Sequence, residues 1–593
     1  MVRHCAILAA IILIGLALRF WQLDSKPLWL DEVLTALFTM GRRYEDVPLN
    51  TFFSLTALDR LFTFQPGANC SQIAQTVATE SVHPPLFFCL LYSWMDWLRP
   101  DADHWVWALR ALPAFFGVGT IAALYCLNRF AFSPAAGLMG SALMAVSPFA
   151  VYLSQEARHY TLPMLLITLA LTGLVQIQHD LSSSKLRPIV WLGWSIVNVI
   201  GLYTHYFCIL ALIAQLVALL GWIIWRRQSI SRYGWGAIAF ALGGITLSYL
   251  PWIPTLLNHV SRPETDWLIP YKPDWRDRLE PLYQTLVNWV LMVIAIPVEN
   301  QPISIMILGA LGAIAFTLWL IWRVSIGFRH LWHDRSNRPS MVLLTGFTLC
   351  VVVQFFAIVY FLDKDITVVP RYNFVYYPSV CALLSASLVQ QGSHQREQNR
   401  KTGSSIHHSA FIQPLTRTQT IVLLAGLSSS MIVIHGLAFQ KSYYPDRVAQ
   451  TLAFEPDKPL ITVVSYRSLQ EVALGLSFAL ELKKLYPSTT VDDRVRYGFV
   501  DRSSSYMKVW QGIPNLTQPF LPPINLWIFA SPGMRTKDYA QRLKLFDPSS
   551  SKQRRRLSCD IDPDQFHRLG FPYQLFRCLP KNDRSKPSES PKE

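Results

Sequence analysis

Cys5–Trp21, with the sequence CAILAAIILIGLALRFW, is the stretch that decides the fold. A hydrocarbon core about 30 Å thick is crossed by about 20 apolar residues in a helix, and this run is close to that length. No small-residue cleavage site follows it, so we interpret it as a retained helix and not as a signal peptide. Arg3 and the short N-terminus favour a cytoplasmic start. The chain is therefore expected to leave the membrane on the outer side.

Ten further apolar runs repeat this pattern along the 593 residues, of which 51% are hydrophobic and 15% charged. They are Trp105–Leu127, Ala135–Tyr152, Tyr160–Ile177, Ile189–Tyr203, Phe207–Trp225, Trp235–Pro254, Ile303–Trp322, Met341–Phe361, Tyr372–Val389 and Thr420–Leu437. This composition excludes a soluble enzyme and predicts an all-α polytopic membrane protein. The net charge of +15 does not indicate nucleic-acid binding, because much of it lies in short loops between apolar runs.

The number of spanning helices depends on two shorter apolar stretches, Leu86–Trp97 and Leu282–Pro297. If both lie in the outer interface, eleven helices remain and the basic loops fall in the cytoplasm. Twelve or thirteen helices are the alternatives. In the long loop after the first helix, Leu49–Phe64 is amphipathic and is predicted to lie along the membrane interface.

The composition changes after Phe439, which divides residues 1–439, a transmembrane domain with an outer loop at 24–103, from a tail. Strands are predicted at Pro459–Tyr466 and Ile524–Phe529, and a helix at Leu469–Tyr486. Residues 440–580 are therefore predicted to form a small extracytoplasmic α/β domain, followed by a polar, disordered segment at 581–593.

Two cysteines of the tail, Cys559 and Cys578, are candidates for a disulfide. They are the only cysteines of the tail, and an oxidising compartment would allow them to pair. The nine cysteines of the chain contain no CxxC pair, so neither a zinc site nor a thioredoxin-like motif is indicated.

Pro27-Leu28-Trp29-Leu30-Asp31-Glu32 follows the first helix as the chain leaves the membrane. Two adjacent carboxylates beside apolar side chains cost free energy, so such groups usually have a partner or a task. The structural alternative is an interfacial helix start, with Asp31 near the positive end of the helix dipole.

Several polar motifs fall on the same outer face under the eleven-helix topology, and charged residues that meet at one surface indicate a site. They are His83-Pro84-Pro85, Arg110, Ser154–Tyr160, Tyr203–Tyr206 with His205, the Arg262–Arg278 loop, and Pro370-Arg371-Tyr372. All but Arg110 also have a structural explanation, which is in order a helix start, a Glu–Arg turn, an aromatic belt, a loop of solvated charges and an interfacial arginine anchor. The guanidinium of Arg371 equally suits a lipid phosphate.

The order and spacing of these motifs resemble the GT-C fold glycosyltransferases, especially the branch of protein O-mannosyltransferases and aminoarabinose transferases (glycosyltransferase family 39-like). The matching elements are the acidic pair, HPP, an arginine early in the next span, SQEARxY and PRY. The resemblance runs from about Ala6 to Val389 and is strongest over Leu28–Leu171. It implies sugar transfer from a polyprenyl-phosphate-linked donor on the extracytoplasmic face.

The resemblance also implies roles for individual residues. Asp31 would be the general base that activates the acceptor hydroxyl, and Glu32 a supporting acid. Arg371 would hold the donor phosphate. The other candidate substrate-binding residues are His83, Arg110, Glu156, Arg158, Tyr160, His205 and Tyr372.

The chemistry is consistent with one catalytic carboxylate. A sugar on a phosphate already carries a good leaving group, so the enzyme needs a base for the acceptor and cations for the departing phosphate. A single displacement would invert the anomeric carbon. No full set of oxygen ligands is present in the sequence motifs, so dependence on Mg²⁺ or Mn²⁺ stays open.

The expected partners are the polyprenyl-phosphate sugar, an acceptor protein, glycan or lipid, and the bilayer, without nucleic acid. A transporter or flippase of lipid-linked sugars is one alternative, which predicts internal repeats and polar residues at mid-bilayer. An envelope assembly scaffold is another, but it leaves the outer-face charges unexplained. The predicted location is the plasma (inner) membrane of a bacterium, or the ER membrane of a eukaryote.

Overall fold

The computed structural model describes residues 2–227, 229–269, 274–297, 301–401, 415–486, 494–503, 506–513, 520–546 and 556–579. The predicted disordered segment at 581–593 lies outside the described residues. The chain divides into two compact units. Unit 1 comprises Met1–Leu23, Cys70–Leu91 and Trp107–Gln440, and unit 2 comprises Asp24–Asn69, Tyr92–Val106 and Lys441–Glu593.

The α-helices are, in chain order, α1 (Val2–Phe20), α2 (Leu30–Thr39), α3 (Ala57–Phe62), α4 (Cys70–Glu80), α5 (Leu86–Leu98), α6 (Trp105–Ala131), α7 (Pro134–Ala145), α8 (Pro148–Ser154), α9 (Thr161–Ser183), α10 (Pro188–Leu202), α11 (Phe207–Arg226), α12 (Arg232–Tyr249), α13 (Ile253–Val260), α14 (Glu280–Val293), α15 (Ile303–His333), α16 (Arg338–Phe361), α17 (Tyr377–Lys401), α18 (Arg417–Ile434), α19 (Pro445–Leu452), α20 (Leu469–Leu485) and α21 (Tyr506–Gly512).

Eight candidate spans among the described residues are long and apolar enough to cross a membrane, namely α1, α6, α9, α11, α12 with α13, α15, α16 and α18. The pair α7 and α8 passes the same test as one span bent by 59°, which makes nine. The polytopic helical architecture is thus confirmed, whereas the count of eleven stays a prediction. The difference arises because α10 has only 15 residues and α17 begins at Tyr377, five residues into the predicted run.

The break between α7 and α8 is closed by Arg19, a fully buried arginine of α1. Its guanidinium donates to the carbonyls of Gly15, Met144 and Ala145 at 2.9–3.1 Å. Met144 and Ala145 end α7, because Pro148 opens the next helix two residues beyond Val146. Backbone groups inside a bilayer need such internal partners, so Arg19 acts as a cap for a helix end within the helical unit.

The described residues of unit 2 form a seven-stranded sheet with the order β1-β3-β2-β4-β7-β6-β5. Its strands are β1 (Phe52–Phe53), β2 (Leu460–Tyr466), β3 (Val495–Asp501), β4 (Ile524–Phe529), β5 (Arg542–Phe546), β6 (Arg556–Leu569) and β7 (Phe571–Cys578). The inner strands β3, β2 and β4 are parallel, and the other pairs are antiparallel. The predicted α/β tail is therefore confirmed, with β2, α20 and β4 within one residue of their predicted bounds.

A disulfide between Cys559 and Cys578 joins β6 to β7, where the two residues are direct partners in the ladder. The predicted pairing in the tail is thus confirmed. Two buried strands, β2 and β4, contribute Ile461, Val463, Ile524, Leu526 and Ile528 to the unit 2 core.

The prediction that Leu49–Phe64 lies along the membrane interface is wrong. Phe52 and Phe53 form β1 and pair with Gly498 and Tyr497 of β3, and the next residues form the short helix α3. The apolar side chains that make the segment amphipathic are buried within unit 2. A strand pairing over more than 400 residues of sequence is not visible in a local hydrophobic pattern.

Candidate active site

Four connections between helices of unit 1 bring basic and aromatic side chains together. The connections precede α5, join α8 to α9, join α10 to α11, and form the 3₁₀ turn Pro370–Val375 before α17. Ring and guanidinium contacts link these turns. We call the residues that they bring together the histidine–arginine cluster: His83, Arg158, His159, His205 and Arg371.

His159 lies at the centre of the cluster and is fully buried. Its ring centre is 4.8 Å from that of His83 and 4.7 Å from that of His205. Neither of its ring nitrogens has a hydrogen-bond partner among the described residues. A buried polar group in this state costs free energy, so His159 marks a place where a hydrogen-bonding ligand would fit.

His83 connects the cluster to the turn before α5. Its Nδ1 lies 2.9 Å from the hydroxyl of Ser81, and its Nε2 lies 3.4 Å from a guanidinium nitrogen of Arg158. The imidazole thus accepts from Arg158 and donates to Ser81. Desolvation, reinforced by the charge of Arg158, lowers the pKa of His83 well below its ordinary value, so this ring is neutral at physiological pH.

His205 is held in one tautomer by its own turn. The backbone N–H of Phe207 donates to Nδ1 at 3.0 Å, which leaves the proton of the neutral ring on Nε2. Burial, and then the charge of Arg158, lowers the pKa of His205 to about 3. Its ring packs edge-on against Phe374, 4.9 Å away.

Arg371 is oriented by the tyrosines around it. Its Nε donates to the hydroxyl of Tyr160 at 2.9 Å, and its guanidinium carbon lies 5.8 Å from the ring centres of Tyr160 and Tyr372. Tyr160 is buried and Arg371 half-buried. The predicted residues Arg371, Tyr160 and Tyr372 are therefore brought together.

Glu156 and Arg110 lie at the edges of this arrangement. Glu156 is buried in the same turn, where its carbonyl accepts from the backbone N–H of Arg158 at 2.7 Å. Arg110 is buried in α6 and donates to the carbonyl of Leu23 at 2.9 Å, just beyond α1. This bond gives Arg110 a structural task at a helix end, and its predicted substrate role stays a prediction.

The Arg262–Arg278 loop has a contact that the sequence does not reveal, although its residues 270–273 lie outside the described residues. Arg262 donates to the carbonyls of Ala78, Thr79 and Ser81 at 2.9–3.0 Å, around the end of α4. Arg262 thus fixes the backbone of Ser81, the residue whose hydroxyl bonds to His83.

The acidic pair lies in unit 2, at the start of α2. Asp31 is the second residue of the helix and is half-buried, and its carbonyl accepts from the hydroxyl of Thr35. Glu32 is buried, and its carboxylate accepts from the N–H of Trp29 at 3.4 Å. A helix does begin at this motif, as the structural alternative expects, and both carboxylates lie in its first turn at the positive end of the helix dipole.

Within the described ranges, no group of three or more His, Cys, Asp or Glu side chains has the spacing to hold a metal ion.

His159 is the residue of the cluster that the sequence analysis did not select. It stands between the selected residues Arg158 and Tyr160, so its position in the motif was the available signal. What identifies it is the packing of three imidazoles from separate turns, which no local pattern encodes.

No protein-family model matches the sequence, and no curated protein matches it. Among solved structures, the chain is similar to archaeal oligosaccharyltransferase AglB from Archaeoglobus fulgidus, solved with an inhibitory peptide and a dolichol-phosphate. The identity is 14% and the TM-score 0.44, over 81% of this chain and 63% of AglB, so the chain spans less than two thirds of AglB.

The chain is also similar to ArnT from Cupriavidus metallidurans. For ArnT bound to undecaprenyl phosphate the identity is 13% and the TM-score 0.46, and for the apo state they are 11% and 0.48. Both matches cover 96% of this chain and 97% of ArnT.

Proposed function

We propose that the protein is an integral membrane glycosyltransferase that transfers a sugar from a polyprenyl-phosphate-linked donor to an acceptor hydroxyl. The observation that carries the proposal is the histidine–arginine cluster of unit 1. It combines two guanidinium groups with three neighbouring imidazoles, one of which has no hydrogen-bond partner among the described residues. Such a site suits an anion with several acceptor oxygens.

The donor phosphate would bind in this cluster. Arg158 and Arg371 supply positive charge, and neutral His205 supplies an N–H from Nε2. When the bond between the anomeric carbon and the phosphate oxygen breaks, the polyprenyl phosphate gains negative charge. Donors that are already oriented stabilise this developing charge more than the ground state, which lowers the barrier.

Asp31 would act as the general base. It takes the proton of the acceptor hydroxyl while the acceptor oxygen forms its bond to the anomeric carbon, opposite the departing phosphate. One displacement of this kind inverts the anomeric configuration. Glu32 supports the step by its bond to the backbone of Trp29, which fixes the start of the helix that carries Asp31.

An extracytoplasmic site is supported by the cysteines. The disulfide Cys70–Cys89 joins α4 to α5 in unit 1, and Cys559–Cys578 lies in the tail; the topology derived from the sequence places both outside. The free cysteines among the described residues lie in membrane-span candidates or in α17. This division is the one expected if the disulfide segments face an oxidising compartment.

A flippase of lipid-linked sugars is the second candidate, because the break between α7 and α8 is a feature that transporters share. However, Arg19 fills the break with hydrogen bonds to both helix-end carbonyls. These two carbonyls, both at the end of α7, thus have partners within the protein, and we favour the transferase.

The experiment that tests the proposal uses purified full-length protein in detergent with a panel of radiolabelled polyprenyl-phosphate sugars and an acceptor-containing extract. We expect the wild type to consume one donor and release polyprenyl phosphate, and Asp31→Asn to lose this activity. Asp59→Asn, in the same segment of unit 2 but on its exposed surface, is the matched control. If no donor is consumed but labelled donor crosses the bilayer of proteoliposomes, the flippase is the correct assignment.

A further inference from the structure

Side chains from the C-terminal part of unit 2 hold the backbone on both sides of the acidic pair. The hydroxyl of Tyr443 accepts from the backbone N–H of Leu30 at 3.0 Å. The hydroxyl of Ser477, buried in α20, donates to the carbonyl of Leu28. These bonds connect residues more than 400 positions apart to the turn that precedes Asp31.

Between these bonds, Trp29 is fixed by a cation. The ammonium group of Lys441 lies 3.9 Å from the centre of the Trp29 ring, a geometry for a cation–π interaction. Trp29 itself is almost fully buried. The three residues before Asp31 therefore each contact a side chain that the chain supplies after its last membrane-spanning candidate.

The bond from Tyr443 has a particular effect on α2. Leu30 is the first residue of the helix, and its N–H is one of the N-terminal donors that no helical carbonyl can satisfy. By accepting this bond, Tyr443 fixes where and in which direction the helix begins. Asp31 is the next residue, so the direction of its side chain depends on that start.

Tyr443 packs against the turn between β6 and β7 and against α20. Gly570, in the turn between β6 and β7, has a φ of +86°, and a Cβ at this position would lie 2.6 Å from the Cβ of Tyr443. The ring of Tyr443 packs edge-on against Phe478 of α20, which stacks on Phe529 of β4. The orientation of the tyrosine is thus determined by the fold of the C-terminal part.

We propose that Tyr443 and Ser477 are positioning residues for Asp31, so that the C-terminal α/β structure orients the proposed base by fixing the start of α2. This inference rests on the proposed function, in which Asp31 is the base. Under this inference, the C-terminal part of unit 2 affects the rate of transfer through the orientation of Asp31. A base must lie within hydrogen-bond reach of the proton that it removes, and a misplacement of about 1 Å lowers a rate by about 100-fold.

The test removes the hydroxyl group of Tyr443 or of Ser477 from the full-length protein and keeps the rest of the side chain. We expect Tyr443→Phe and Ser477→Ala each to lower kcat about tenfold, and the double variant about 100-fold, with the KM for the donor unchanged. The KM is unchanged because these residues do not belong to the histidine–arginine cluster. Ser477→Thr, which keeps the hydroxyl, should restore most of the activity that Ser477→Ala loses.

Two controls remove comparable buried bonds that do not involve α2. Tyr539 donates to the carbonyl of Pro572, and Ser465 donates to that of Phe529. Tyr539→Phe and Ser465→Ala should reproduce any change in melting temperature but leave kcat unchanged. If the control variants lower kcat as much as Tyr443→Phe and Ser477→Ala do, the effect is one of stability and the positioning role is overturned.

Asp31→Asn, measured in parallel, distinguishes the proposed role of Asp31 as the base from the proposed positioning role of Tyr443 and Ser477. If Asp31→Asn abolishes transfer while Tyr443→Phe and Ser477→Ala keep the wild-type kcat, the positioning role is wrong and the proposed function stands. If Asp31→Asn retains transfer, the assignment of the base is wrong and the positioning role falls with it. Gly570→Ala provides an independent variant, because the added methyl group displaces Tyr443, and it should lower kcat in the same way.

Discussion

Arg371 donates from Nε to the hydroxyl of Tyr160 at 2.9 Å and so joins two turns that are 211 residues apart in the sequence. Because Tyr160 is buried, this bond sets the direction of the planar guanidinium group of Arg371. A fixed orientation of this kind is what we expect of an arginine that binds a phosphate in one geometry.

Arg371→Lys should raise the KM for the donor about tenfold, because a lysine retains the charge but not the bidentate fork; this corresponds to about 1.4 kcal/mol of binding free energy. Binding of the labelled donor to the purified variant measures the effect. Arg577→Lys, which disturbs ion pairs to Glu455 and Asp562 in unit 2, is the control and should leave donor binding unchanged. An unchanged donor affinity in Arg371→Lys would remove the phosphate role.

His159→Phe should separate stability from function. Because the buried ring nitrogens have no partner among the described residues, phenylalanine should keep or raise the free energy of unfolding, by about 1 kcal/mol. Donor binding should nevertheless weaken at least tenfold, since the cluster loses a hydrogen-bonding group. Thermal unfolding and donor binding of the same preparation check both parts, and a variant that is less stable yet binds normally would contradict the assignment.

The stability of the protein should fall in acid because of His205. Its pKa in the fold is about 3, below the ordinary value of 6.5, so the unfolded chain binds more protons at pH values between these limits. The contribution of His205 to the free energy of unfolding is therefore fully present above about pH 6.5 and decreases as the pH falls towards 3. About 2 kcal/mol of this contribution is lost by pH 5. His205→Phe should show a smaller drop in melting temperature between pH 7.5 and pH 5; an equal drop would show that other groups dominate.

The two disulfides offer a matched comparison, because both join cysteines 19 residues apart. Replacing either pair by serine should cost about 3 kcal/mol of stability through loop-closure entropy. Cys70–Cys89 joins the helices on either side of His83, so only its removal should also raise the KM for the donor. The KM for the donor and the melting temperature are measured for the two double-serine variants. An equal rise in KM in both variants would contradict a specific role of Cys70–Cys89.

The orientation can be tested by introducing cysteines at two exposed positions, Asp564 in unit 2 and Ser336 between α15 and α16. A membrane-impermeant maleimide applied to intact cells should label Asp564→Cys, whereas Ser336→Cys should react only after the cells are opened. The wild-type chain gives the background from its free cysteines. Labelling of Ser336→Cys in intact cells would invert the proposed topology.

Local patterns were sufficient for three regular elements of unit 2. The strands β2 and β4 appear in the sequence as short apolar runs, and the helix α20 appears as a longer one. The bounds of all three lie within one residue of the prediction. The same kind of pattern was misleading for Leu49–Phe64. Its phenylalanines are buried by a partner strand far away in the sequence, not by lipid.

The candidate site was predictable residue by residue but not as an arrangement. His83, Arg158, Tyr160, His205 and Arg371 were selected because they fall on one face, and the contacts in unit 1 join them. The centre of the cluster, and the bonds that make one tautomer of His205 the stable one, depend on tertiary packing. Spacing in the sequence carries no information about either.

The edge strand β1 gives unit 2 an unusual dependence on the order of synthesis. Residues 24–69 are synthesised well before residues 441–578. However, β1 and the start of α2 form their hydrogen bonds with residues in 441–578. A chain that stops before the tail would leave the buried face of α2, with Val33, Ala36 and Leu37, without its cover from α20. Chains that end before residue 441 would thus present an unformed acidic turn, so the proposed transferase activity would require residues 441–578.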